Sequence, residues 1–230
     1  MEGEAAHHLH VIRAEAGQLY ELSDGSRAWL ARIASVGRHR VEFALLEQLP
    51  TPRATAEITL LLSIVKFDAF EWAIEKATEL GVARIVPLAA ARSEKGLLAA
   101  AAKRSRRWQK ILLEASQQSR RLRLPQLDDP SRPAQAFTRE TAGVRLLLSE
   151  HRDTPSIRTS LEDSPHAISS PSAVSSAALA IGPEGGWTDE ELTSARAAGF
   201  REASLGELIL RTETAVIAAL ATLNYALLGG

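Results

Sequence analysis

Alternating strand and helix patterns from residue 55 onward predict an α/β protein with a parallel sheet, preceded by a short all-β segment. Three observations carry this expectation. Ile58–Val65 is a continuous β-rich run, the mark of a strand buried on both faces. Helix-period segments separate it from two further apolar runs, Arg84–Leu88 and Val144–Leu148. Before residue 50 the pattern is different, with period-2 stretches joined by tight turns.

In the first segment, Gln18–Leu22 meets a turn at Ser23-Asp24-Gly25-Ser26 and is followed by Arg27–Val36. Gly37-Arg38-His39 then turns the chain into Val41–Leu45, and together these strands predict a small antiparallel sheet or barrel. Pro50-Thr51-Pro52-Arg53 is the expected linker, giving domains 1–52 and 53–230. In the second segment, Asp68 and Glu71 are spaced as a capping box for a helix that Gly81 stops. Ala99–Ser119 is expected as a long helix, with Trp108, Ile111, Leu112 and Ala115 facing inward. Glu150–Ala177 is rich in Ser, Pro and Thr without periodicity and is expected as a mobile loop.

Two corners near the carboxyl end organise the rest. Ala178–Ile181 reads as a buried strand, followed by Gly182-Pro183-Glu184-Gly185-Gly186 and a helix capped by Thr188 with Glu191, ending at Gly199. Ser204-Leu205-Gly206 leaves a second strand, and Thr212 is placed to cap a helix running to Leu228. Adjacent strand-loop-helix corners make a backbone-lined cleft at the carboxyl ends of parallel strands, where such sheets bind ligands. Glycine spacing by itself equally fits two ordinary, well-capped βα turns. It does not fit a phosphate loop, since no lysine follows the glycines.

Composition narrows the function classes. With 230 residues and 45% hydrophobic content the chain can bury a real core. It has no cysteine, which excludes disulfides, thiolate metal sites and a cysteine nucleophile, and fits a reducing cytoplasm. No apolar stretch has transmembrane length, and no signal peptide is evident, so no membrane is expected. The formal charge is −1, but Lys103 to Arg123 holds eight basic residues against Glu114 alone, a concentration suited to binding phosphates. His7, His8 and His10 fit no metal-ligand spacing, and no metal is expected. Ser149-Glu150-His151 lacks the G-x-S-x-G elbow of a hydrolase triad.

Ile181-Gly182-Pro183-Glu184-Gly185-Gly186, with Leu205-Gly206 and Ile209-Leu210-Arg211-Thr212-Glu213-Thr214-Ala215, resembles the RsmE family. These are 16S ribosomal RNA uridine N3-methyltransferases of the SPOUT class. The resemblance continues through His8–Arg13, Lys66, Glu75–Val82, Arg92-Ser93 and Glu114–Ser119, with Gln117 in place of the family's usual glutamate. It implies a knotted parallel-sheet SPOUT methyltransferase domain preceded by a small PUA-like β-barrel domain. Family members carry about one more strand before this chain's first residues, so the barrel is expected to be truncated at the N-terminus. The resemblance also implies a homodimer with its site at the subunit boundary, with the last helix as a candidate interface, and 16S ribosomal RNA of the small subunit as partner.

The cofactor implied is S-adenosylmethionine, held by Leu148, Ser149, Glu150, Ile181, Gly182, Pro183, Glu184, Gly185, Gly186, Leu205, Gly206, Leu210, Arg211, Thr214 and Ala215. The N3 atom of uracil carries a proton at neutral pH, so the reaction needs a proton acceptor or a cation for the charge spreading onto the uracil oxygens. Arg211, Arg121 and Glu184 are the candidate catalytic residues, with Arg92 and Glu213 behind them. Arg13, Lys66, Arg92, Lys103, Arg104, Arg106, Arg107, Arg120, Arg121 and Arg123 are the candidate RNA-binding residues. Leu208 stands where the family usually has a basic residue. The alternatives are a SPOUT methyltransferase acting on another RNA site or atom, and a non-catalytic RNA-binding assembly factor.

Overall fold

The computed structural model describes residues 1–37, 39–50, 56–151, 153–162 and 176–228. The chain divides into two compact units, Met1–Ala54 and Thr55–Gly230. Most of the expected linker, residues 51–53, lies outside the described residues.

In the first unit, helix α1 (Glu4–Val11) precedes three antiparallel strands, β1 (Leu19–Ser23), β2 (Ala28–Val36) and β3 (Val41–Gln48), in the order β1-β2-β3. Leu9, Ala6, Ile33 and Val41 are its buried centre, with Tyr20 and Phe43 packed on them edge to face. The three strands match the expected ones; the helix was not expected. It places His7, His8 and His10 on exposed turns and buries Leu9 between them. Among the described residues the three strands form an open sheet, with β1 and β3 as its edges.

The second unit is built on a six-stranded parallel sheet in the order β6-β5-β4-β8-β7-β9. Its elements run β4 (Glu57–Ser63), α2 (Phe67–Glu79), β5 (Arg84–Leu88), α3 (Lys95–Gln118), β6 (Gln126–Leu127), α4 (Pro133–Arg139) and β7 (Val144–Leu148). Then come α5 (Ile157–Glu162), β8 (Ser176–Ile181), α6 (Asp189–Ala197), β9 (Arg201–Ala203) and α7 (Thr212–Leu228). Helices cover both faces, so the central strands are apolar throughout. Along β4, Ile58, Leu60 and Leu62 point to the core shared with α2, α3 and α7, while Leu61 points to the core shared with α4 and α6. Leu60, Leu61 and Leu62 are almost fully buried. Burial of each contributes about 1.5–3 kcal/mol.

Several expectations are corrected. The Asp68–Glu71 capping box does not form, because α2 begins at Phe67 with Lys66 as its uncapped N-cap residue. Glu71 is buried and is held instead by Arg104 and Arg107. Within the stretch expected as a mobile loop, α5 packs Ile157 and Leu161 into the core, and Ile157 N–H donates to Ser204 O at 2.8 Å. Six residues are too few for periodicity to reveal a helix. Residues 163–175 of that stretch lie outside the described residues. Gly81 and Gly199 end α2 and α6 as expected, at φ +90° and +80°. The two corners follow β8 and β9, whose neighbour β7 lies between them and ends at the same level.

Candidate functional site

The cleft lies where β7, β8 and β9 end, lined by Leu148–Glu150, Ile181–Glu184 and Ala203–Leu210, with Thr212 and Ala215 closing one side. Its floor is set by the corner after β8. Gly186, at φ +69°, completes a turn in which its N–H donates to Pro183 O at 2.8 Å. A Cβ on Gly182 would meet the Trp187 indole at 3.1 Å, so glycine lets the strand end lie close against that ring, and any side chain would require the ring to shift by a few tenths of an ångström. Trp187 is buried, and its Nε1 donates to Leu148 O at 2.9 Å, fastening the end of β7 to the glycine corner.

Glu191 holds the corner from behind. It forms the expected capping box with Thr188: Glu191 N–H donates to Thr188 Oγ1 at 3.3 Å, and Thr188 N–H to Glu191 Oε2 at 2.9 Å. Its other oxygen accepts Ala91 N–H at 2.8 Å, joining α6 to the loop after β5. From that loop Arg92 donates to Gly185 O at 2.7 Å, with its aliphatic stem against Gly185. Thr212 is the first residue of α7 rather than its cap, and its hydroxyl donates to Gly182 O at 3.4 Å, joining the two corners.

Of the residues expected to hold a cofactor, Leu148, Ser149, Glu150, Ile181, Gly182, Pro183, Glu184, Leu205, Gly206, Leu210 and Ala215 line the cleft. Gly185, Gly186, Arg211 and Thr214 do not. The two glycines face Arg92, and Arg211 and Thr214 are exposed at the start of α7. Glu207, Leu208 and Ile209, between the expected Gly206 and Leu210, also line the cleft, as do Ala203, Ser204 and Thr212, which were not singled out for it. Trp187 and Glu191 brace it, and the tryptophan directly after the glycine run was the available sign of a packed corner. Three carboxylates, Glu150, Glu184 and Glu207, are the ionisable side chains on its wall. A cleft of main-chain groups, apolar walls and acidic side chains suits a cationic organic ligand with an apolar part.

The remaining candidates lie elsewhere. Arg121 donates to Thr78 O at 2.7 Å, at the end of α2, and burial lowers the pKa of its guanidinium. The structure does not bring it to the cleft. Lys66 is exposed at the start of α2, and Lys103 and Arg106 are exposed on α3. Arg104 and Arg107 pair with Glu71. Arg13 and Arg120 take left-handed backbone conformations, both at φ 55°, at the ends of α1 and α3. Arg123 is exposed beyond α3. Among the described residues no group of three or more His, Asp or Glu is placed to hold a metal, and no helix is long and apolar enough to cross a membrane.

Residues 52–224 match the family of RNA methyltransferase domains. The chain is 34% identical over 229 residues to ribosomal RNA small subunit methyltransferase E of Synechocystis, covering 95% of this chain and 70% of that protein. The Bacillus subtilis protein of the same name is 31% identical, with 97% and 88% covered. The crystal structure of ribosomal RNA small subunit methyltransferase E from Neisseria gonorrhoeae, bound to S-adenosyl methionine, superposes with a TM-score of 0.83 at 32% identity, covering 97% of this chain and 90% of that one. The chain therefore belongs to the RNA methyltransferase domain family, among the ribosomal RNA small subunit methyltransferases E.

Proposed function

We propose that this chain methylates N3 of a uridine in 16S ribosomal RNA, with S-adenosylmethionine as donor. The observation that carries the reading is the cleft at the ends of β7, β8 and β9, whose wall combines main-chain groups with Glu150, Glu184 and Glu207. When bound, the donor supplies a methyl group on a positively charged sulfur, and the acidic wall favours that charge. Ile181 and Leu210 would flank its adenine, and the glycine corner would leave amides open to it.

The chain's own task is then orientation, exclusion of water and charge stabilisation. Arg211, exposed at the mouth of the second corner, is the cation for the charge that spreads onto the uracil oxygens. Glu184, on the cleft wall, is the candidate acceptor for the N3 proton. A paired uridine cannot offer N3, so the target is unpaired or flipped out.

The finer architecture belongs to the same proposal. The strand order, in which β8 lies between β4 and β7, is compatible with a trefoil knot around the cleft. The first unit acts as a PUA-like RNA grip, and domains 1–52 and 53–230 divide these tasks. The face of α7 carrying Thr214, Ala221 and the highly exposed Tyr225 is uncharged, as a homodimer interface requires. The cytoplasm, where small subunits are assembled, is the compartment proposed.

Labelled-methyl transfer to small ribosomal subunits and to naked ribosomal RNA tests the reading, with the modified nucleoside identified by mass spectrometry. The expected product is 3-methyluridine. Methylation at another atom would replace the proposed specificity, and no heat on titrating S-adenosylmethionine would overturn the enzymatic reading.

A further inference from the structure

We propose that Arg104 and Arg107, oriented by the buried carboxylate of Glu71, form a preorganised clamp for one backbone phosphate of the RNA substrate, outside the cleft. The inference rests on the reading that the substrate is RNA, and it assigns different tasks to cations that are indistinguishable in the sequence.

Glu71 is 6% exposed, and each of its oxygens takes one guanidinium. Arg104 Nη1 donates to Oε1 at 3.1 Å, and Arg107 Nε donates to Oε2 at 2.6 Å. One cation compensates one buried carboxylate; the second leaves the group with a charge of +1. Among the described residues Arg107 is bound through Nε alone, and its side chain remains 62% exposed, so both of its Nη groups are left for an outside acceptor. Arg104 lies over the Phe67 ring, with Cζ 4.4 Å from its centroid, which holds the guanidinium against the aromatic face while 39% of its side chain stays exposed.

The platform beneath them is rigid. Trp108, next to Arg107 on α3, packs against Phe70 and Phe67 of α2 with ring centroids 4.6 and 6.3 Å apart. Arg104 and Arg107 are three residues apart on one helix face, within reach of a single anion. Guanidinium forks match phosphate oxygens in pairs, and holding them in place beforehand removes the loss of side-chain freedom that free surface arginines suffer on binding. Lys103 and Arg106, exposed on the same turn, have no such orienting group among the described residues and act as diffuse charge.

The competing view is that the arginines merely neutralise Glu71. The two views predict opposite signs for Glu71→Gln. Removing a negative charge beside a basic helix tightens RNA binding if the arginines act only as charges, whereas losing the orienting group weakens it if the clamp is real. Binding of small-subunit ribosomal RNA would be measured against salt concentration, with thermal melting as a control for folding.

Expected are a severalfold weaker affinity for Glu71→Gln and about tenfold for Arg107→Ala, with the salt slope of Arg107→Ala reduced by about one phosphate contact. Arg107→Lys, which keeps the charge but loses the fork, should weaken binding nearly as much as alanine. If Glu71→Gln fails to fold, the two Arg107 variants decide. Tighter binding by Glu71→Gln, or wild-type affinity and salt slope for Arg107→Ala, overturns the clamp. If wild-type protein neither binds nor methylates ribosomal RNA, the functional reading falls as well. Methyl transfer by wild-type protein alongside unaltered Arg107 variants removes the clamp alone.

Discussion

The corner after β8 and the corner after β9 face each other across the cleft, and they are held by different means. The first is tied to β7 through Trp187, to the loop after β5 through Arg92 and Glu191, and to α7 through Thr212. The second is anchored at its base, where Ser204 N–H donates to Pro155 O and Ile157 N–H to Ser204 O; beyond that it is closed by local bonds between Ser204 Oγ and Gly206, and it leaves Leu208 and Ile209 81% and 78% exposed. A ligand entering the cleft therefore meets a floor whose shape is fixed by buried side chains. Opposite it stands a wall with a large apolar surface still open to whatever packs there. Preorganisation is concentrated at the glycine corner, and open apolar surface is left at the other.

That contrast breaks most severely at Trp187. Trp187→Ala removes a buried indole and the bond to Leu148 O, and unfolding in urea should show a loss of about 3–5 kcal/mol, together with a sharp fall in donor affinity. Arg211→Ala probes the open side. Melting temperature and donor affinity should stay near wild type, while kcat falls by about 10²–10³-fold, the effect of removing one charge-stabilising donor from a reacting centre. A wild-type rate would reject the role given to Arg211.

Gly182→Ala sharpens the description of the floor. Its new methyl would press on an indole that is already bonded and buried, so the expected loss is about 1–3 kcal/mol in unfolding, with weaker donor binding by calorimetry. Unchanged stability would mean that the indole yields and the floor is softer than its bonds imply. The smallest effect belongs to Leu208→Lys on the exposed wall. Stability should move by no more than about 0.5 kcal/mol. RNA affinity should rise, most clearly at low salt.

Much of this is legible in the amino-acid sequence, though unevenly. The runs Ile58–Val65 and Arg84–Leu88 announced buried parallel strands because burial on both faces forbids alternation. Thr188 and Glu191 announced their helix start, and the capping box is there. The same spacing at Asp68 and Glu71 misled. A glutamate four residues into a helix can serve its own backbone or a distant partner, and arginines more than thirty residues away decided between them. Helices α1, α4 and α5 went unread because they are short and draw their stability from packing rather than from periodicity.

Most of the cleft lining comes from the two glycine-bearing corners, whose residues are contiguous in the chain, while Leu148–Glu150 join them from the end of β7. Its bracing is not contiguous: Trp187 reaches back to Leu148, Ala91 lies a hundred residues from Glu191, and Arg92 lies ninety-three from Gly185. Nor could the basic stretch tell Arg121, turned onto Thr78 O, from Lys103 and Arg106, which face solvent.

The amino-acid sequence by itself determined the strands, the capped corners and the chemistry available in them, since these depend on neighbours a few residues apart. Only the tertiary structure decided which carboxylate caps a helix and which holds two arginines, and which guanidinium is buried and which stays exposed. Those outcomes depend on distances between segments far apart in the chain, and these exist only once the sheet has set the order of its strands.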